Sequence, residues 1–170
     1  AWDILLKTCY KDDGYEENEV GSTLAARPQL MPKRTGPCCV SKVFYDTKEY
    51  EKAVDLFISV ADEFENSRGY QYDLCDMVRQ CFSNRFYDNQ KQFSKYFKLL
   101  QRKKCEKIAQ TQLELLLDMD SFISCRSEMT LAKWICDAHN LAKNEEEKKY
   151  FDFNARTLIT LWGDINGITS

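Results

Sequence analysis

Two pairs of aspartates stand close enough along the chain to share a chemical task. Asp73 and Asp76 occur in "YDLCDMVRQ", with Arg79 three residues further on, and Asp118 and Asp120 occur in "LLLDMDSF". Paired carboxylates are the tools of general acid/base chemistry, and glycosidases cleave with two of them. The spacing favours a plainer role. Asp76 and Arg79 are placed to pair along one helix. Asp120 falls on a stripe with Leu113, Leu116, Leu117 and Ile123, where a carboxylate needs a partner. Asp76, Arg79, Asp120 and Arg156 are therefore expected to include at least one ion pair between helices. The only histidine, His139, has no Cys, Ser or acid motif around it and reads as a solvent-facing helical residue.

Eight cysteines are many, but none forms a C-x-x-C pair and there is a single histidine, so a zinc site is not expected. No metal or cofactor is expected. Cys75, Cys81, Cys105 and Cys136 fall in helix-like segments and read as small buried hydrophobes. Cys9 with Cys38 or Cys39 could close a disulfide over a long loop in an oxidising compartment.

Trp162 is a different kind of candidate. In "FDFNARTLITLWGDINGITS" a helical pattern ends on this tryptophan, and Gly163 follows at once. One reading is a core tryptophan under a glycine-capped helix end. The other is a stacking platform, because the apolar C–H face of a sugar lies well against an aromatic ring. The residues alone leave both open.

The elements that must position these groups are helical. After a first helical segment ending near Cys9, residues 11–39 hold all three prolines and three of the six glycines, without sustained periodicity. So long a connection is unusual unless functional or laid against a neighbouring domain. Tyr50, Ala53, Val54, Phe57, Ala61 and Phe64 give a helical stripe over 47–64. Leu74, Met77, Val78, Cys81 and Phe82 give the next, continued more weakly to Phe93 and Phe97. A helix over 104–123 places Cys105, Ala109, Leu113, Leu116 and Leu117 on one face. Helices over 131–142 and 145–162 follow, the last with acids at its positive N-terminal end and an inner stripe of Phe151, Ala155, Leu158, Ile159 and Trp162. The fold class is all-α, an irregular bundle of five or six helices in a single domain spanning 1–170.

Composition sets the outer bounds. At 170 residues, 44% hydrophobic and 30% charged, the chain is a globular one, with no apolar run long enough for a membrane span. The net charge is −3, and Lys and Arg read as scattered, so a nucleic-acid partner is not expected. The sequence opens without Met and stops in an apparent loop, so it reads as an excerpt of a longer protein.

The strings "AARP", "YDLCDMVRQ", "LLLDMDSFISC", "LAKWICDAH" and "FDFNARTLITLWG", in this order and at these spacings, resemble the C-terminal helical domain of the α-N-acetylglucosaminidases, glycoside hydrolase family 89. The resemblance runs over essentially the whole chain. It implies a longer enzyme with a small N-terminal domain, a (β/α)8 barrel carrying two catalytic glutamates, and this helical domain as an intramolecular partner. It implies removal of terminal α-linked N-acetylglucosamine, notably from the glycosaminoglycan heparan sulfate, in the lysosome or after secretion. No catalytic residue is implied within this chain. Trp162 matches the pocket-lining tryptophan of the family, and Ile168 an apolar pocket position six residues later. Two departures stand out: His139 occupies a place where the family often has Arg, and the hydrophilic stretch "YFKLLQRKKCEK" is longer than usual. A competing reading is a non-catalytic helical interaction module, since "YEKAVDLF" resembles a tetratricopeptide hairpin. A step of ~34 residues, the period of such arrays, gives "NRFYDNQKQF", which lacks the pattern.

Overall fold

The computed structural model describes residues 1–11, 19–26, 29–35 and 39–160. The chain is all-α, with six α-helices among the described residues. It divides into two compact units, Ala1–Asp120 and Ser121–Ser170.

In the first unit, α1 (Trp2–Lys7) packs on α2 (Thr47–Ile58), and α2 packs on α3 (Arg68–Lys98). The stripe on α2 is buried as its spacing predicts: Tyr50, Ala53, Val54 and Phe57 join Leu5 of α1 and Met77 of α3 in one core. Asp46 starts α2 by accepting hydrogen bonds from the amides of Lys48 (2.9 Å) and Glu49 (3.3 Å), which satisfies donors that the first turn leaves free. Ser67 caps α3 in the same way through the Tyr70 amide, at 3.4 Å. Ala61 and Phe64, read as the end of the α2 stripe, lie instead in a 3₁₀ turn over Ala61–Phe64, where Phe64 is exposed.

The long connection contains two short strands that sequence periodicity could not show. β1 (Glu19–Val20) pairs in parallel with β2 (Cys39–Val40). Two residues per strand are too few to produce an alternation. Gly21 follows β1, and its amide donates to the Val40 carbonyl at 2.8 Å. A Cβ here would lie 1.9 Å from Thr35 Oγ1 and 2.9 Å from Cys39 Cβ, so the close approach of the backbones needs glycine.

α3 turns into α4 (Arg102–Ile123) through Leu99–Gln101. Leu100 holds a left-handed φ of 56°, the cap conformation that usually falls to glycine. The inner face of α4 differs from the one its leucines suggest. Leu113, Leu116 and Leu117 are exposed, and Gln112 is the buried residue. Gln112 Nε2 donates to Gln90 Oε1 (2.9 Å), and Gln90 Nε2 donates to the carbonyls of Gln29 (2.9 Å) and Leu30 (2.7 Å). A polar relay from loop to α3 to α4 occupies the inner face, and the leucines turn outward. Asp120, assigned to that stripe, is exposed.

The second unit is built on α5 (Leu131–Asn140) and α6, described over Glu145–Thr160. Thr130 caps α5 through the Lys133 amide (3.3 Å), and Asn144 accepts from the Glu147 amide (2.9 Å) at the start of α6. Of the expected inner stripe, Ala155 is buried and Phe151 half-buried, while Leu158 and Ile159 are exposed. No helix among the described residues is long and apolar enough to cross a membrane.

Candidate functional site

Trp162 and Ile168, the two residues expected to line a sugar pocket, lie outside the described residues, as does Gly163. The described structure shows how the helix leading to them is held. Trp134 Nε1 of α5 donates to the Ala155 carbonyl of α6 at 2.9 Å. His139 Nε2 meets Asp152 Oδ1 at 2.9 Å, and Arg156 Nε donates to Asp152 Oδ2 at 2.7 Å. One carboxylate therefore receives two partners, one from α5 and one from its own helix. The Arg156 guanidinium holds the Asp152 carboxyl below its ordinary range, His139 adds to this, and partial burial works the other way. His139 is thus not the solvent-facing residue expected. At the position where the resemblance implies an arginine, it makes the inter-helix pairing.

The expected ion pair between helices among Asp76, Arg79, Asp120 and Arg156 is not formed among the described residues. Arg79 pairs with Asp76 one turn back on α3 (2.8 Å), and Arg156 with Asp152 on α6. Asp120 lies with the exposed leucines of α4 and away from the inner face that Gln112 occupies, so it needs no partner. Asp73 and Asp118 are also exposed. Neither aspartate pair stands in a cleft with the two facing carboxylates that glycoside hydrolysis needs.

The described cysteines are all free thiols. Cys75 is buried as expected, and Cys81 and Cys105 are half-buried, but Cys136 is exposed. Burial pushes the Cys81 thiol up to about 11, which keeps it protonated and unreactive at neutral pH. Cys9 and Cys39 are not joined, and Cys38 lies outside the described residues. Among the described residues no three His, Cys, Asp or Glu side chains gather as a metal set.

One polar cavity has no signature in the sequence. It encloses about 170 Å³ between the long connection and α3, lined by Ser22, Thr23, Ser41, Gln80, Ser83 and Asn84 among others. Ser22 Oγ donates to Ser83 Oγ (3.2 Å), and Tyr45 Oη and Gln80 Nε2 both donate to Asn84 Oδ1 (3.1 Å each). Thr23 Oγ1 and Asn84 Nδ2 are buried without a partner among the described residues. Scattered serines and amides give no periodic signal, so only the fold brings them together. They can hold a polar guest, but they offer no nucleophile–base pair.

Among the described residues the fold is helical, and neither aspartate pair is set as two facing carboxylates. The family model described as the "Alpha-N-acetylglucosaminidase (NAGLU) C-terminal domain" matches residues 1–169, and the chain belongs to that family. Human α-N-acetylglucosaminidase is 26% identical over 172 residues, covering 96% of this chain and 21% of its own length. A family 89 glycoside hydrolase from Clostridium perfringens, solved in complex with its substrate GlcNAc-α-1,4-galactose, is similar with a TM-score of 0.89 and 32% identity. The match covers 97% of this chain and 19% of that one. The same enzyme has been solved in complex with PUGNAc. The chain therefore spans about a fifth of the length of these relatives.

Proposed function

We propose that this chain is the C-terminal helical domain of a glycoside hydrolase that removes terminal, non-reducing α-linked N-acetylglucosamine, and that both of its units belong to one functional domain. The observation that carries this reading is the match of a single domain family to residues 1–169, supported by structural similarity to an enzyme solved with a GlcNAc-containing substrate. In this reading the catalytic glutamates lie in a (β/α)8 barrel outside the chain. The helical domain forms one wall of the pocket. Trp162 offers its indole face to the sugar, and Ile168 lies nearby on the following loop. The anchoring of α6 through Trp134, His139 and Asp152 suits that task, because a stacking residue orients a substrate only when its support is rigid. The glycosaminoglycan heparan sulfate is the proposed substrate and the lysosome the proposed location.

The test is hydrolysis of a small α-N-acetylglucosaminide by the intact protein. Release of N-acetylglucosamine supports the reading. A well-folded intact protein that leaves α-linked N-acetylglucosamine uncleaved sinks it.

A further inference from the structure

The lysines and arginines that read as scattered are not evenly spread. Seven of the 17 residues from Lys91 to Lys107 are basic, and one, Glu106, is acidic. Seven less one leaves a local surplus of six positive charges in a chain whose net charge is −3. The fold gathers them at one place. Lys91, Lys95 and Lys98 lie on the last turns of α3, and Arg102, Lys103, Lys104 and Lys107 on the first turns of α4. The bond from Gln112 to Gln90 and the approach of Cys105 Sγ to the Phe93 carbonyl, at 4.0 Å, run the two helices side by side from the turn at Leu99–Gln101. Both ends of the basic run therefore meet at the tip of this helical hairpin.

Little at the tip neutralises these charges. Lys91 pairs with Asp88 (2.6 Å) and Arg102 with Glu106 (2.7 Å), while Lys104 stands over the Tyr96 ring at 4.9 Å. Among the described residues, Lys95, Lys98, Lys103 and Lys107 are exposed and have no carboxylate partner. Lys103 and Lys107 are four apart and share one face of α4. Beside them Phe93, Phe97, Leu100, Cys105 and Ala109 line an open cleft of about 400 Å³, and Leu100 is 89% exposed.

We propose that this tip is a docking site for a sulfated polysaccharide chain. Four observations favour that occupant. The run Arg102-Lys103-Lys104-x-x-Lys107 is a basic cluster of the kind that forms nucleic-acid or heparin patches. Six of the seven cations at the tip are lysines, compact point charges that each meet one anionic group without a planar fork. The rest of the chain is acidic, which repels a broad polyanion and confines attraction to a narrow tip that one flexible chain can reach. The apolar cleft gives a pyranose C–H face a surface to lie against. The choice of a polysaccharide rests on the carbohydrate reading proposed above.

The test uses the intact protein and a heparan sulfate oligosaccharide of defined length. Arg102→Gln, Lys103→Gln, Lys104→Gln and Lys107→Gln are combined, since glutamine keeps the helix. A second variant, Lys133→Gln, Lys143→Gln, Lys148→Gln and Lys149→Gln, makes the same change in net charge elsewhere. The tip variant is expected to bind roughly tenfold to a hundredfold more weakly at physiological salt, with a shallower salt dependence, and the second variant close to wild type. Equal affinity of the tip variant and wild type overturns the proposal. So does an equal loss in the second variant, or tighter wild-type binding to single-stranded DNA of matched charge or to phosphatidylserine vesicles. Hydrolysis of the small substrate without oligosaccharide binding removes the docking site alone. Binding without hydrolysis removes the hydrolase reading and leaves the docking site.

Discussion

Asp152 is the residue on which the second unit turns. Its two oxygens accept from His139 on α5 and Arg156 on α6. Because these partners hold its carboxyl below the ordinary value of 3.8, the sign of its pH dependence is fixed. Its stabilising contribution is complete above that value and is lost as pH falls through the lowered one. A series of thermal melts should therefore decline at the acid end in wild type, and Asp152→Asn should lack that part of the decline. Identical acid profiles for the two proteins would remove Asp152 from this role. Gly21 makes a second residue-scale case. An added Cβ meets Cys39 Cβ at 2.9 Å, so Gly21→Ala should destabilise the first unit by about 1–3 kcal/mol in denaturant unfolding. An unchanged midpoint would mean the two backbones part at little cost.

At the scale of elements, stability rests on how α1 and α2 are anchored. Leu5 is 2% exposed in the core that joins α1 to α2 and α3. Leu5→Ala should cost about 2–5 kcal/mol, as large-to-small changes in cores do. Asp46→Ala, which leaves the Lys48 and Glu49 amides unmet, should cost about 1 kcal/mol. Chemical denaturation of both variants checks the order, and a cap loss equal to the core loss would contradict it. The stripe behind these predictions was legible, because Tyr50, Ala53, Val54 and Phe57 repeat at helical spacing and nothing polar competes for that face. On α4 the leucine spacing does not mark the buried face. Gln112 outcompetes the leucines for the inner face because it completes a relay to Gln90 and the loop, and hydrogen-bond partners distant in sequence leave no periodic trace. His139 likewise leaves no local signal, since its partner Asp152 lies on another helix. The polar cavity depends on serines and amides from the long connection and α3, a juxtaposition made by the fold alone. The basic run, by contrast, was in plain sight between Lys91 and Lys107. Its meaning emerged once the α3–α4 turn folded it onto one tip.

At the scale of the whole molecule, the chain belongs to a C-terminal domain family and spans about a fifth of its relatives. If the catalytic glutamates lie in a barrel outside the chain, as proposed, the 170-residue chain alone should release no N-acetylglucosamine, and turnover by it would overturn that proposal. Leu113 and Leu117 on α4 and Leu158 and Ile159 on α6 are exposed. The central claim is that Trp162 borders the sugar pocket of the intact protein. The direct measurement is kcat/KM for an α-N-acetylglucosaminide together with the unfolding free energy, in wild type and in Trp162→Ala. A stacking wall predicts a fall in kcat/KM well beyond any loss of stability, whereas a purely structural tryptophan would lose about 3–5 kcal/mol of stability. A well-folded Trp162→Ala protein with unchanged kcat/KM would contradict the claim.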